Sequence, residues 1–151
     1  MRIICCLLCL GSCGIDGEPI EGDITIQYGA TAPDLVVGAA VQDQSDPSLM
    51  LVQIGSDGVD CDTYLDNFLS FNNPEGTFVF FSVEKLPGAF EEASVAAMRS
   101  ENNNTKTNFS TGSVTIDAVE PRVAGSVEFS ITDEDVGEIS VSGTFDVVRC
   151  F

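Results

Sequence analysis

The chain has no histidine and no tryptophan, only two tyrosines, and six Lys and Arg set against 24 Asp and Glu across 151 residues. Each shortage removes a class of chemistry. Without histidine there is no Ser-His-Asp or Cys-His machinery, and none of the usual catalytic zinc, copper or facial-triad iron sites. Without tryptophan, and with so little tyrosine, a sugar cleft lacks its stacking platform, so the abundant carboxylates do not by themselves indicate a glycosidase. A formal net charge of −18 repels phosphate backbones and anionic headgroups, which argues against nucleic acid and against electrostatic docking on membranes.

What remains is globular in composition. Apolar residues are 44% of the chain and charged ones 20%, enough to bury a core, and the length allows one ordinary domain. No cofactor is expected.

The first 13 residues run Met1, Arg2, an apolar stretch Ile3 to Leu10, then Gly11, Ser12 and Cys13. One positive residue, an apolar run and small residues before a cysteine are the layout of an export signal. Eight helical residues rise only about 12 Å, too short for a hydrocarbon core of about 30 Å. The competing reading takes Cys5, Cys6, Cys9 and Cys13 as metal ligands. Their Ile and Leu surroundings offer no donors to support thiolates.

Leu10-Gly11-Ser12-Cys13 resembles the lipobox of bacterial lipoproteins. The resemblance implies cleavage after Ser12, a diacylglyceryl thioether on Cys13 and acylation of the new amino terminus. By the same resemblance, Gly14 in the following position favours delivery to the outer membrane over retention at the inner one. The expected organisation is a signal peptide over 1–12, a lipidated Cys13 with a Gly- and acid-rich tether over 13–22, and a domain over 23–151. Membrane contact would then come through the lipid, in the cell envelope.

Removing the signal and assigning Cys13 to lipid leaves Cys61 and Cys150. An even remainder in an oxidising compartment predicts one disulfide, the alternative being two buried thiols.

Along the domain the hydrophobic pattern has period two. Val123, Val127, Phe129 and Ile131 alternate with Ser126, Glu128, Ser130 and Thr132; Ile139, Val141, Phe145 and Val147 alternate with Ser140, Ser142, Thr144 and Asp146. Val114, Ile116 and Ala118 form a third strand, with turns at Glu120-Pro121-Arg122 and Asp133 to Gly137. Upstream strands are expected over 24–28, 35–42, 49–55, 77–83 and 94–100, with a polar loop from Glu101 to Lys106. Phe78 to Val83 is apolar on both faces and so belongs in the sheet interior. Tyr64, Leu65, Phe68, Leu69 and Phe71 fall on a helical stripe that could cover it. The expected fold is all-β: a two-sheet antiparallel β-sandwich, immunoglobulin-like or a similar Greek key, with one short helix.

Two motifs invite chemistry. Ser82-Val83-Glu84-Lys85 has the Ser-x-x-Lys spacing of penicillin-binding enzymes, but on a strand a separation of three sets the two side chains on opposite faces. Asp57, Asp60 and Asp62 cluster beside Cys61 and are weak calcium candidates; an EF-hand starting at Asp60 fails, with Leu65 where Gly is needed and Phe71 where Glu is needed. The sequence therefore favours a non-enzymatic, lipid-anchored module with a structural or interaction role. The alternatives are a calcium-dependent binding module and a hydrolase of unfamiliar type.

Overall fold

A computed structural model describes residues 17–62 and 75–151. They form eight strands: β1 (Thr25–Tyr28), β2 (Val37–Gln42), β3 (Leu49–Gly55), β4 (Gly76–Glu84), β5 (Gly88–Glu101), β6 (Asn104–Ala118), β7 (Val123–Asp133) and β8 (Gly137–Arg149). There is no helix among the described residues. The stripe from Tyr64 to Phe71, expected to be helical, lies outside them, as do the signal sequence and Cys13.

All eight strands belong to one mixed sheet. From β2 to β8 each strand pairs antiparallel with the next. The far edge of β8 then takes β1, antiparallel from Thr25 opposite Ser142 to Tyr28 opposite Ile139. Its last residues take β2 in parallel, Ala39 opposite Val148 and Ala40 opposite Arg149. The pairing thus returns to the strand where it began. The expected all-β class holds, but the two-sheet sandwich is not confirmed: the described residues build a single mixed sheet in which β2 to β8 follow one another up and down. The physical reason is strand length. Strands β5, β6 and β8 hold 14, 15 and 13 residues, about 40 Å or more at roughly 3.3 Å each, and so carry hydrogen bonding round the molecule. Irregularities between Phe90 and Ala93 and between Ile116 and Ala118 give β5 and β6 the bends they need. Alternation reveals which face a strand buries and says nothing of how far it runs.

The side chains pointing inward form the main core. Ile26, Met50, Val52, Ile54, Val79, Phe81, Val95, Ile116, Val127, Ile139, Val141, Phe145 and Val147 are all buried there. Strands β2 to β4 bury both faces, as their unbroken apolar runs require. Their outer face carries a second cluster built on Val37, Val41, Leu51, Val59, Phe78, Phe80, Ala96 and Met98. Gln53 lies fully buried, opposite Ala39 on β2 and Phe80 on β4, and neither atom of its amide meets a partner among the described residues.

Close approach of strands fixes one glycine. A Cβ on Gly125 would collide with the Thr115 carbonyl oxygen, so β7 can press against β6 at the irregularity only with hydrogen in that place.

The expected loop from Glu101 to Lys106 is shorter than foreseen. Asn102 and Asn103 alone make the turn, both with positive φ (51° and 62°), and β6 starts at Asn104, ten residues before the strand expected at Val114. Asn and Asp tolerate that backbone region better than other side chains, and a two-residue turn of this kind suits the twist of a hairpin.

Candidate functional site

Cys61 and Cys150 form a disulfide with Cα atoms 5.4 Å apart, closing a separation of 89 residues. The bond ties the segment after β3 to the end of β8, where the Cys150 N–H also donates to the Ala40 carbonyl at 2.9 Å. It therefore secures the end of the sheet at which β8 meets β2 through only two register pairs.

The three aspartates near Cys61 are turned to local duties. The Gly58 N–H donates to Asp57 Oδ1 and the Asp62 N–H to Asp60 Oδ1, each at 2.9 Å. Among the described residues no three His, Cys, Asp or Glu side chains are gathered so as to hold a metal ion. The Ser82 and Lys85 pair also does not meet. Ser82 Oγ donates to Asp43 Oδ2 at 2.6 Å, while Lys85 Nζ donates to Gln42 Oε1 at 3.0 Å and to the Pro47 carbonyl at 2.7 Å. Both side chains brace the β2–β3 turn. Asp43 is itself saturated, accepting from the Ser45 N–H and hydroxyl and the Asp46 N–H as well; these bonds to the charged form outweigh the cost of its partial burial and hold its pKa below the ordinary value.

The pattern in the sequence missed a polar cluster at one mouth of the sheet. Inward positions that elsewhere hold Val and Ile are here occupied by Tyr28, Arg99, Lys106, Asn108 and Asp133. The Tyr28 hydroxyl donates to Asn108 Oδ1 at 3.3 Å, and Asn108 Nδ2 donates to Asp133 Oδ2 at 2.6 Å. Lys106 Nζ donates to Asp133 Oδ1 at 2.7 Å and to Asp135 Oδ2 at 2.8 Å. Arg99 lies over the Tyr28 ring, 5.6 Å from its centroid, and binds Thr31 Oγ1 and Glu101 Oε1, both at 2.9 Å. The Asp133 side chain is only 8% exposed. Its bond from Lys106, reinforced by the Val136 N–H, Asn108 and the Asp135 N–H, holds its pKa well below the carboxylate range. The same bond, with that to Asp135, raises Lys106. Burial, and after it the charge of Asp133, raises the Tyr28 phenol. A signal was present in the sequence: Lys106 and Asn108 share the parity of Val114 and Ile116, so a strand carried back through them would have placed polar groups inside.

All five Lys and Arg side chains of the described residues are engaged within the chain. Besides those above, Arg122 pairs with Asp146, and Arg149 pairs with Glu120 while lying 4.6 Å from the Phe151 ring centroid. A surface whose cations are committed in this way offers little to a polyanion.

Among the cavities that the described residues form on the outer surface are two beside β6. One of about 400 Å³ has Leu51, Phe80 and Ala96 on its floor, Asp43 and Ser82 on its rim, and Phe109, 65% exposed, at its side. Among the described residues that line it the one carboxylate is Asp43, already held by four hydrogen bonds. The other, about 680 Å³, is a polar groove where β7 separates from β6, bordered by Glu91, Glu128 and Glu138 and by the hydroxyls of Ser113, Ser130 and Ser140.

No protein-family model, curated protein or solved structure matches the chain.

Proposed function

We propose that the chain is a lipid-anchored, extracytoplasmic β-domain that serves as a structural or interaction module and carries out no catalysis. The observation that carries the reading is the Cys61–Cys150 disulfide. Those are the two cysteines left over once Leu10-Gly11-Ser12-Cys13 is read as a lipobox, and a stable disulfide belongs to an oxidising compartment. The committed cations, the absence of histidine and the saturation of Asp43 all fit a domain that presents surface to a partner. Delivery to the outer membrane follows from Gly14 at the second position of the mature chain.

The test is metabolic labelling in the native host with a clickable fatty acid. The account expects label on the wild-type protein in the membrane fraction and none on Cys13→Ala. Equal label on both would remove the anchor from Cys13, and a soluble, unlabelled wild type would remove the anchor altogether.

A further inference from the structure

Strands β8 and β2 share only two register pairs, and the chain ahead of β1 runs into the gap between them. On the β2 side the Glu18 N–H donates to the Val59 carbonyl at 2.8 Å, the Ile20 N–H to the Val36 carbonyl at 3.1 Å, and the Gly38 N–H to the Glu18 carbonyl at 2.8 Å. On the β8 side Glu21 and Asp146 exchange both main-chain bonds, at 3.0 and 2.8 Å. Ile20 packs against the main core. Gly17 and Gly22 have φ of 127° and 119°, and a Cβ on either would collide with a carbonyl oxygen, that of Val59 or of Thr144. The Gly- and acid-rich composition of this stretch is that of a loose tether, yet from Gly17 onward its main-chain bonds make it a strap built into the sheet.

The strap limits how far the domain can stand from Cys13. Gly17 is four residues on from Cys13, at most about 14 Å of chain, whereas a tether left free as far as Gly22 would reach about 32 Å. A folded domain of this size is about 35 Å across. The longer reach would let the domain turn any side toward the anchor; the shorter one fixes the side. A net charge of −18 adds no attraction to anionic headgroups that could set a different orientation.

We infer that the domain meets the headgroup layer of the bilayer with the side on which β8, the strap and β2 adjoin, and turns β5 away from it. Strand β5 is the third strand from β2, through β3 and β4, and the third from β8, through β7 and β6, which sets it across the closed sheet from the strap. The cavity over Leu51, Phe80 and Ala96, with Phe109 at its side, is formed by β3 to β6 and so belongs to the face turned outward. A soluble partner of the anchored domain meets that face, and the strap is left to the membrane.

This orientation deepens the interaction reading above and rests on its lipid anchor. It is tested on the mature, acylated chain in phosphatidylcholine nanodiscs doped with a gadolinium-chelating lipid, by the broadening of amide NMR signals. The amides of Glu18, Glu21 and Cys150 should be broadened several-fold more than those of Ser94, Ala96 and Met98. Inserting about twenty Gly and Ser residues between Asp16 and Gly17 should even the two sets out, because the chain then reaches farther than the domain is wide. Equal broadening of the two sets in the wild type would overturn the proposal. So would a preference that survives the insertion, since it would come from attraction between surface and headgroups and not from reach. The mass of the sample separates the two readings: an unacylated chain removes the anchor, and the orientation is then decided by the same two comparisons on a chain beginning at Cys13 with a maleimide lipid coupled to that thiol.

Discussion

The Phe81 ring lies 5.2 Å from the Phe145 ring, centroid to centroid, with the two planes tilted by 57°. The residues stand on β4 and β8, which share no hydrogen bonds, so their contact shows that opposite parts of the one sheet face each other across the core. Both side chains are among the largest that are fully buried.

Truncating this contact should be costly wherever the core cannot collapse. Phe145→Ala is expected to lower unfolding free energy by about 3 to 5 kcal/mol, with Phe81→Leu losing less. Urea denaturation followed by circular dichroism measures both. A loss under about 1 kcal/mol for Phe145→Ala would mean that the two walls do not depend on this packing.

The disulfide closes a long loop at the point where β8 and β2 share few hydrogen bonds. On the chain-entropy model, a loop of this length is worth roughly 4 to 5 kcal/mol. The double variant Cys61→Ser/Cys150→Ser should therefore lose most of the stability of a marginal domain, and reduction of the wild type should reproduce that loss. Equal melting temperatures with and without reductant would refute it.

Gln53 is a buried amide without a partner among the described residues, on the face of the outer apolar cluster. Leucine removes two unsatisfied polar groups at similar volume, and Gln53→Leu is expected to raise stability by about 1 to 3 kcal/mol. A destabilised variant would show that the amide is hydrogen-bonded in solution.

The mouth cluster sets a pH dependence. Asp133 has a lowered pKa in the folded state, so its contribution is complete above the ordinary carboxylate value of about 3.9 and is lost as pH falls below it. Lys106 has a raised pKa, so its contribution is complete below its ordinary value of about 10.4 and is lost as pH rises beyond. The melting-temperature gap between wild type and Asp133→Asn should be full at neutral pH and close in acid. A gap independent of pH would assign the effect to shape alone.

Much of the architecture was legible because one face of each strand near the carboxyl end must be greasy. Val123 to Ile131 and Ile139 to Val147 announce their strands, and Phe78 to Val83 announces an interior strand. The closure of the sheet was hidden, because β5 and β6 extend through Glu91, Lys106 and Asn108, where polar side chains erase the alternation. The mouth cluster was hidden for the same reason. The Cys61–Cys150 bond was legible by counting, once the amino-terminal cysteines were set aside. The seam between β6 and β7 could not be read at all, since pairing partners are chosen by the register of distant strands.

The central claim is that this domain leaves the cytoplasm and is held by lipid. Intact mass and peptide mapping of protein purified from the native host's membranes test it most directly. The account predicts a chain starting at Cys13, heavier by a diacylglyceryl group and an amide-linked acyl chain, with Cys61 joined to Cys150. A chain that retains Met1, with its six thiols free, would contradict it.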